Sequence, residues 1–164
     1  MEFREVITLN TDSFRDERGE LWTTWDKSWL SIDFNRDKVS TSLKDVVRGL
    51  HGDYKSHKLV SCIVGELFFV IVDNRKDSET YLQHETRILS DKRKEFILLP
   101  PGFANGFAVL SEFAVFNYKW SYVGEYPDVE DQFSLRWNDP KLRISWPRID
   151  SPILSDRDNQ SKLL

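Results

Sequence analysis

The feature of this sequence that most constrains its fold is a series of short β-rich runs, which recur at a spacing of about ten residues. Gly, Pro, Asn or Asp residues bound many of these runs. Such a pattern is typical of an antiparallel sandwich or barrel. The sequence therefore predicts an all-β fold with strands in these segments: ELWTTW, KLVSCIVG, ELFFVIVDNR, YLQHETRIL, EFILLP, GFAVLS and FAVFNYKWSY.

Four segments depart from the clear strand pattern. We expect short helices near residues 26–35, DKSWLSIDFN, and at the C-terminus. Residues 138–159, NDPKLRISWPRIDSPILSDRDN, contain three prolines and few strand signals, which predicts an irregular arm laid across the barrel. Residues 128–137, DVEDQFSLRW, are expected to form a structural turn and strand. No repeat or linker divides the chain, so residues 1–164 are expected to form a single domain.

Composition excludes several classes of protein. A net charge of −4 disfavours a non-specific nucleic-acid surface. No run of about 18 apolar residues is present, so we expect no membrane span. The start, MEFREVITLN, has no apolar stretch after a basic residue, and we expect no signal peptide. Cys62 is the single cysteine, which excludes an internal disulfide and favours a reducing cytoplasm. Its apolar neighbours predict a buried side chain rather than a nucleophile.

Residues 46–62, VVRGLHGDYKSHKLVSC, place an imidazole and several charges beside apolar strand residues. Arg48, His51 and Lys58 could together bind an anion and polarise a substrate oxygen. The same charges could equally form a solvated edge, and a single His in a strand-rich domain is more often structural than catalytic. Strict alternation along a strand would place Arg48 and His51 on opposite faces, so the pattern alone leaves their geometry open.

A metal site is an alternative function for this region, because PPGFANGF after a strand resembles the cupin barrels. Metal-binding cupins need a closely spaced pair of His, a nearby Glu and a further His that converge on one ion. Here His51 is followed by glycine and aspartate, and Asn105 stands where the further His would be. His57 and His84 have no matching partners. We therefore expect no metal.

Several uncommon motifs, taken in their order, resemble the dTDP-4-dehydrorhamnose 3,5-epimerase family. They extend from about Phe14 to Asp158, which is most of the chain. The resemblance implies a cupin-type jelly-roll β-barrel, usually a homodimer, that acts on nucleotide-linked 4-keto-6-deoxy sugars without metal or organic cofactor. The motifs are DERG, VVRGLHGD, KLVSCIVGELFFVIVDNRKDSET, LPPGFANGFAVLSE, FNYKWSY, RWNDPKLRISWP and ILSDRD.

The resemblance also implies roles for individual residues. His51 of RGLH resembles the general base, and Asp158 of LSDRD resembles the carboxylate that orients it. Tyr118 of FNYK resembles the acid on the opposite sugar face, and Lys58 of KLV resembles the group that stabilises the enolate. Histidine suits the removal of a proton next to a ketone at neutral pH. Two arginines resemble the diphosphate contacts: Arg18 of DERG and Arg48 of RGLH.

Three positions depart from the family pattern where substrate would be recognised. Asn105 replaces a His of the family's AHGF, and Thr23 stands where a Glu contacts thymine in the type enzyme. The segment RDK, which ends at Lys38, replaces Gln-Asp-Asn. These departures resemble a subgroup that acts on GDP-6-deoxy-4-keto-heptoses in bacterial capsule pathways. The resemblance therefore favours GDP over dTDP, and it leaves open whether C3, C5 or both are inverted.

Two other functions remain as alternatives. A nucleotide-sugar 3,4-ketoisomerase would move the carbonyl on a similar barrel, but it needs no proton donor on the opposite face, so Tyr118 disfavours it. A non-catalytic cupin-like sugar-binding protein would not need His51, Tyr118 and Asp158, and all three are present. An epimerase is the function that the sequence favours.

Overall fold

A computed structural model describes residues 2–122 and 132–164 of the chain, and regular structure in them is almost entirely antiparallel sheet. One five-stranded sheet has the order β1-β9-β6-β11-β4, a second has the order β12-β5-β10-β7-β8, and β2 pairs with β3. No helix among these residues is long and apolar enough to cross a membrane. The elements are β1 (Ile7–Asn10), β2 (Ser13–Asp16), β3 (Gly19–Trp22), β4 (Arg36–Leu43), β5 (Val47–Gly52), β6 (His57–Val64), β7 (Glu66–Asp73), β8 (His84–Ser90), β9 (Glu95–Leu99), β10 (Phe103–Val109), β11 (Phe113–Ser121), β12 (Phe133–Ser134) and α1 (Asp156–Gln160).

The two large sheets pack face to face around an aromatic core, which confirms the predicted all-β architecture. Phe116 of β11 lies between the sheets, with its ring centroid 4.8 Å from that of Phe107 and 6.0 Å from that of Phe69. Cys62 is buried in the same cluster, and burial raises the pKa of its thiol to about 12. The prediction that Cys62 has a buried side chain is therefore confirmed.

The continuous apolar run of β7 is explained by burial on both of its faces. Leu67, Phe69 and Ile71 belong to the core between the sheets. Val70 and Val72 point the other way, into a second cluster that the C-terminal arm covers. A strand covered on both faces does not need polar residues at alternate positions, so its sequence is apolar throughout.

The C-terminal arm follows the predicted irregular course and ends in the short helix α1. Leu142 is buried against the outer face of the second sheet, and Trp146 packs on Phe68 with 5.6 Å between ring centroids. Further along, Ile153 forms a parallel bridge with Val46, directly before β5. The arm therefore delivers Asp158 of α1 to the same region of the barrel as the RGLH motif.

Some details of the sequence prediction are wrong. Residues 26–35 form no helix: the carboxylate of Asp26 accepts the amide of Ser28 at 2.8 Å and fixes a turn, while Trp25 stacks edge-to-face on Phe34 at 4.9 Å. The strand predicted over ELWTTW ends at Trp22. Strand β4, RDKVSTSL, was not predicted, because an edge strand with few apolar residues lacks a clear pattern. Of the predicted turn and strand at 128–137, residues 128–131 lie outside the described part of the chain.

Candidate active site

A cavity of about 530 Å³ opens between the two large sheets. Strands β5 and β10 contribute to its wall from one sheet, strands β6 and β11 from the other, and the end of the C-terminal arm closes one side. The wall includes six of the residues that the sequence analysis selected: Arg48, His51, Lys58, Asn105, Tyr118 and Asp158. Residues from distant parts of the sequence are thus brought into one chamber.

The imidazole of His51 and the carboxylate of Asp158 form a hydrogen bond, with 2.6 Å between Nε2 and Oδ1. Asp158 is 3% exposed, and the amide of Gly49 donates to its second oxygen at 3.4 Å. Burial acts to raise the pKa of Asp158, but the hydrogen bond and charge of His51 and the Gly49 amide outweigh it, so the pKa is lowered. The carboxylate therefore stays ionised and holds the imidazole ring in one orientation.

A bulge in β5 explains how Arg48 and His51 both reach the cavity. In the pairing of β5 with β10, His51 lies opposite Asn105, whereas Arg48 lies opposite Phe107, so three residue steps on β5 match two on β10. Gly49 lies inside this irregularity with φ of +112°, and a Cβ atom there would lie 2.6 Å from the Cα of Gly106. The extra residue changes the alternation and puts both side chains on the cavity side.

Tyr118 faces the cavity from β11, in the sheet opposite to that of His51. Its ring packs beside Phe116, with 5.9 Å between centroids. Burial raises the pKa of the phenol, although the nearby charge of Arg48 acts in the other direction. Tyr118 is therefore a protonated donor at neutral pH, placed across the chamber from the His51–Asp158 pair.

Lys58 enters the cavity from β6 and is 9% exposed. Its Nζ lies 3.9 Å from Oδ2 of Asp53 and 5.1 Å from the centroid of the Trp120 ring. Burial lowers the pKa of Lys58 to about 8; Asp53 acts to raise it and Arg157 to lower it further. The ammonium is thus a desolvated cation in the cavity wall, and in such a site a charge acts more strongly than it does in water.

Arg48 and Asn105 are held by hydrogen bonds at the edge of the same chamber. The Nε of Arg48 donates to Oγ of Ser42 at 3.0 Å, and its guanidinium also reaches the carbonyl of Thr41 at 3.3 Å. Asn105 donates through Nδ2 to the backbone carbonyl of His51 at 3.1 Å. Where the family pattern has a His, this chain thus has a neutral amide that ties β10 to the strand of His51.

Three predicted substrate-binding residues do not line the cavity of the single chain. Arg18 lies at the exposed β2–β3 turn, where it binds the carboxylate of Asp16, and Thr23 is exposed just after β3. Lys38 lies on β4 opposite Tyr118, with Nζ 5.4 Å from the Trp120 ring, so it is next to the cavity wall but not part of it. The structure separates these residues from the other predicted ones.

Arg157 and Gln132 also line the cavity, and neither was predicted from the sequence as a site residue. The guanidinium of Arg157 donates to Oγ of Ser134 at 2.8 Å and to Oε1 of Gln132 at 3.2 Å. Burial lowers the pKa of Arg157, with the charge of Asp158 acting to raise it. The sequence signal for Arg157 was its position directly before Asp158 in LSDRD. That its side chain faces the chamber depends on the short helix α1 and could be seen only in the structure.

The donor set of the cavity does not resemble a metal centre. Over residues 2–122 and 132–164, no three His, Cys, Asp or Glu side chains converge as ligands would. His51 is the one histidine in the described cavity wall, and its Nε2 is already hydrogen-bonded to Asp158. The groups that face the cavity include the imidazole of His51, the phenol of Tyr118 and the ammonium of Lys58.

Known proteins resemble this chain over its whole length. The sequence model of the family described as dTDP-4-dehydrorhamnose 3,5-epimerase matches residues 1–164. A dTDP-4-dehydrorhamnose 3,5-epimerase of Salmonella typhimurium is 38% identical over 169 residues, which cover 98% of this chain and 91% of that protein. A Legionella pneumophila dTDP-6-deoxy-D-glucose-3,5-epimerase, solved with dTDP-4-keto-L-rhamnose, is similar with a TM-score of 0.91 and 36% identity, over 99% of this chain and 89% of that one. A Bacillus anthracis dTDP-4-dehydrorhamnose 3,5-epimerase, solved with TDP and PPi, has a TM-score of 0.90 and 34% identity, over 100% and 98%.

Proposed function

Because the chain belongs to the dTDP-4-dehydrorhamnose 3,5-epimerase family of cofactor-independent sugar epimerases, we propose that its cavity inverts C3, C5 or both in a nucleotide-linked 4-keto-6-deoxy sugar. One observation carries the assignment of this chemistry to particular residues. His51 on β5 is hydrogen-bonded to Asp158, which lies at the end of the C-terminal arm. Tyr118 faces the same cavity from the other large sheet. A base and an acid on opposite sides of one sugar ring are what inversion at carbon requires.

In the first half of the reaction, His51 takes a proton from the carbon next to the C4 ketone. Because Nε2 is hydrogen-bonded to Asp158, Nδ1 is the nitrogen that would accept this proton. The C–H bond breaks, and its electron pair moves into an enolate whose negative charge resides mainly on the C4 oxygen. The ammonium of Lys58, desolvated in the cavity wall, stabilises that oxygen.

In the second half, Tyr118 donates its phenolic proton to the opposite face of the same carbon. The enolate electron pair forms the new C–H bond, and the ketone is restored without net oxidation or reduction. Solvent then reprotonates the tyrosinate and removes the proton from His51. A 3,4-ketoisomerase would not need a half-buried phenol across the chamber from the base, so the position of Tyr118 supports epimerisation.

Two arginines in the cavity wall support the binding of an anionic group, the diphosphate that links sugar and nucleoside in a nucleotide sugar. Arg48 is oriented by Ser42, and Arg157 is oriented by Ser134 and Gln132. Guanidinium groups with fixed orientation suit phosphate oxygens because they offer paired donors. The sugar would then lie deeper in the chamber, between His51 and Tyr118.

For the nucleotide we propose GDP. Relatives named above carry dTDP in their names, but Thr23, Lys38 and Asn105 depart from the family pattern at the positions expected to read base and sugar. Calorimetric titration of the protein with GDP and with dTDP separates the two. Tighter binding of dTDP would overturn the assignment of GDP and leave the epimerase proposal intact. In either case Arg48→Ala should weaken both ligands equally, since a diphosphate contact carries no information about the base.

We also propose that the active protein is a homodimer in which the β2–β3 hairpin of one chain meets the other chain. Phe14 and Leu21 of this hairpin are 75% and 72% exposed, and burial of such side chains would favour association. A dimer of this kind could bring Arg18 and Thr23 to the cavity of a second copy.

Complementation tests this arrangement. Arg18→Ala and His51→Asn chains are each expected to be inactive, and mixed dimers should regain activity, because one of their two sites would contain both native residues. No recovery after proven subunit exchange would place Arg18 outside the site. A monomer in light scattering at working concentration would overturn the homodimer.

For its setting, we propose a cytoplasmic enzyme of a capsule polysaccharide pathway that uses a GDP-heptose. The buried free thiol of Cys62 suits a reducing compartment, and the motifs of the sequence resemble that subgroup. Cell fractionation tests the compartment. Loss of the epimerised sugar from the capsule of a deletion strain tests the pathway, and an unchanged capsule would contradict it.

The central experiment is incubation with GDP- and dTDP-linked 4-keto-6-deoxy sugars in heavy water. Each proton that His51 removes is replaced by deuterium, so the gain in mass counts the exchanged positions. Proton NMR then locates them at C3, C5 or both, and coupling constants report inversion. Absence of exchange at both carbons with either nucleotide would refute the proposed function.

A further inference from the structure

Asp53 follows β5 directly and is 3% exposed, although it carries a carboxylate. Its Oδ1 accepts the amides of Lys55 at 2.9 Å and Ser56 at 2.7 Å, which closes the turn between β5 and β6. Its Oδ2 is buried, and no donor within the described residues forms a hydrogen bond to it. A turn requires only the first oxygen, so the placement of the second one calls for another explanation.

The Nζ of Lys58 lies 3.9 Å from that second oxygen. This separation is within the range of an ion pair but longer than a hydrogen bond, so the ammonium keeps its donors for another acceptor. A buried carboxylate with no partner is costly, and a buried ammonium is costly as well. The two charges therefore stabilise each other while the head of Lys58 remains directed at the cavity.

We infer that Asp53 is a positioning residue of the reaction: its buried Oδ2 keeps the Lys58 ammonium charged and aimed at the substrate's ketone oxygen. This inference rests on the proposed function for the identity of that oxygen. The charge relationship between Asp53 and Lys58 is independent of it. Asp53 would touch no reacting atom and would act through Lys58.

The other charges around Lys58 make this assistance necessary. Burial lowers the pKa of Lys58, and the positive charge of Arg157 on α1 lowers it further. Lys58 and Lys38 of β4 both lie near the Trp120 ring, and the Nζ of Lys38 is 5.4 Å from the centroid of this ring. Asp158 is the one carboxylate in the described cavity wall, and it is already bonded to the imidazole of His51. Within residues 2–122 and 132–164, Asp53 is the carboxylate whose charge acts to keep Lys58 protonated.

Asp53→Asn tests the inference, because the amide oxygen can still accept both turn amides while the charge is removed. The readout is the titration midpoint of Lys58, followed by the carbon-13 signal of its Cε and assigned by the loss of that signal in Lys58→Arg. We expect the midpoint to fall by about one pH unit, the effect of removing an opposite charge at this range. The rate of heavy-water exchange falls at alkaline pH, and the midpoint of this alkaline limb should decrease by the same amount. The affinity for the nucleotide should not change.

Asp91→Asn is the matched control. Asp91 caps the amide of Gly65 at 2.8 Å, at the opposite end of β6 from Lys58, so this variant should alter neither the midpoint nor the limb. If Asp53→Asn does not fold, Asp53→Ser keeps a turn acceptor and is titrated in the same way. An unchanged Lys58 midpoint in a folded variant would overturn the inference. If the midpoint shifts in Asp53→Asn but the parent protein has no epimerase activity, the charge relationship between Asp53 and Lys58 is upheld and the proposed function is refuted.

Discussion

The Nε2 of His51 lies 2.6 Å from Oδ1 of Asp158, although 107 positions separate the two residues in the chain. His51 belongs to β5, and Asp158 arrives on the short helix at the end of the arm. The contact is buried on the Asp158 side, so it is not one of the weak ion pairs that form on a surface. It provides the proposed base with a fixed orientation.

His51→Asn should abolish deuterium exchange at the sugar carbons, since asparagine cannot take the proton. Loss of a general base typically costs about 10²–10⁴-fold in rate. Asp158→Asn should slow exchange by at least about 100-fold, because the ring loses its orienting charge. His84→Asn, on β8 and outside the cavity wall, is the control and should exchange normally. Exchange by His51→Asn within about tenfold of the parent rate would remove His51 from the role of base.

Tyr118→Phe should separate exchange from inversion. His51 can still remove a proton and return deuterium to the same face, so exchange continues while formation of the epimer falls by about 100-fold or more. Mass spectrometry measures the first quantity and NMR the second on one sample. Tyr81→Phe, outside the cavity wall, should change neither. Equal losses of both quantities would mean that Tyr118 mainly positions the sugar.

The rate should fall as the pH rises through about 8. Burial lowers the pKa of Lys58 from the ordinary 10.5 to about 8, so the ammonium is lost at that pH and the enolate loses its cation. Lys58→Met should lower the rate by about 10²–10³-fold. In Lys58→Arg the guanidinium stays charged, so any remaining activity should lack this limb. A wild-type rate that stays level to pH 10 would show that a charged Lys58 is not required.

Activity should survive prolonged treatment with a chelator. In the proposed mechanism the C4 ketone acidifies the neighbouring C–H bond, and the ammonium of Lys58 stabilises the enolate oxygen. Elemental analysis of the purified protein is expected to find no stoichiometric transition metal, and added Zn²⁺ or Mn²⁺ should not raise the rate. Loss of activity on chelation with recovery on adding one ion would refute this mechanism and indicate a metal-dependent cupin.

Local patterns predicted much of the fold. Strands such as β6 and β7 appeared as apolar runs with turn residues at their ends, because a packed sheet requires apolar side chains there whatever its partners are. The prediction failed over residues 26–35, where aromatic contacts with Phe34 and Phe96 hold an irregular segment against the barrel. It also missed β4, because hydrogen bonds to β11 rather than apolar periodicity define this edge strand.

The sequence by itself determined the types of groups in the site, because uncommon motifs such as RGLH and LSDRD carry them. Only the tertiary structure decided which groups meet. The bulge at Gly49 puts Arg48 beside His51, against the alternation of a regular strand. The arm folds back to bring Asp158 to the imidazole and Arg157 into the cavity, while Arg18 stays on an exposed turn. Such contacts depend on strand register and on the path of a distant segment, and the free energy that fixes them comes from packing of the whole barrel rather than from neighbouring residues.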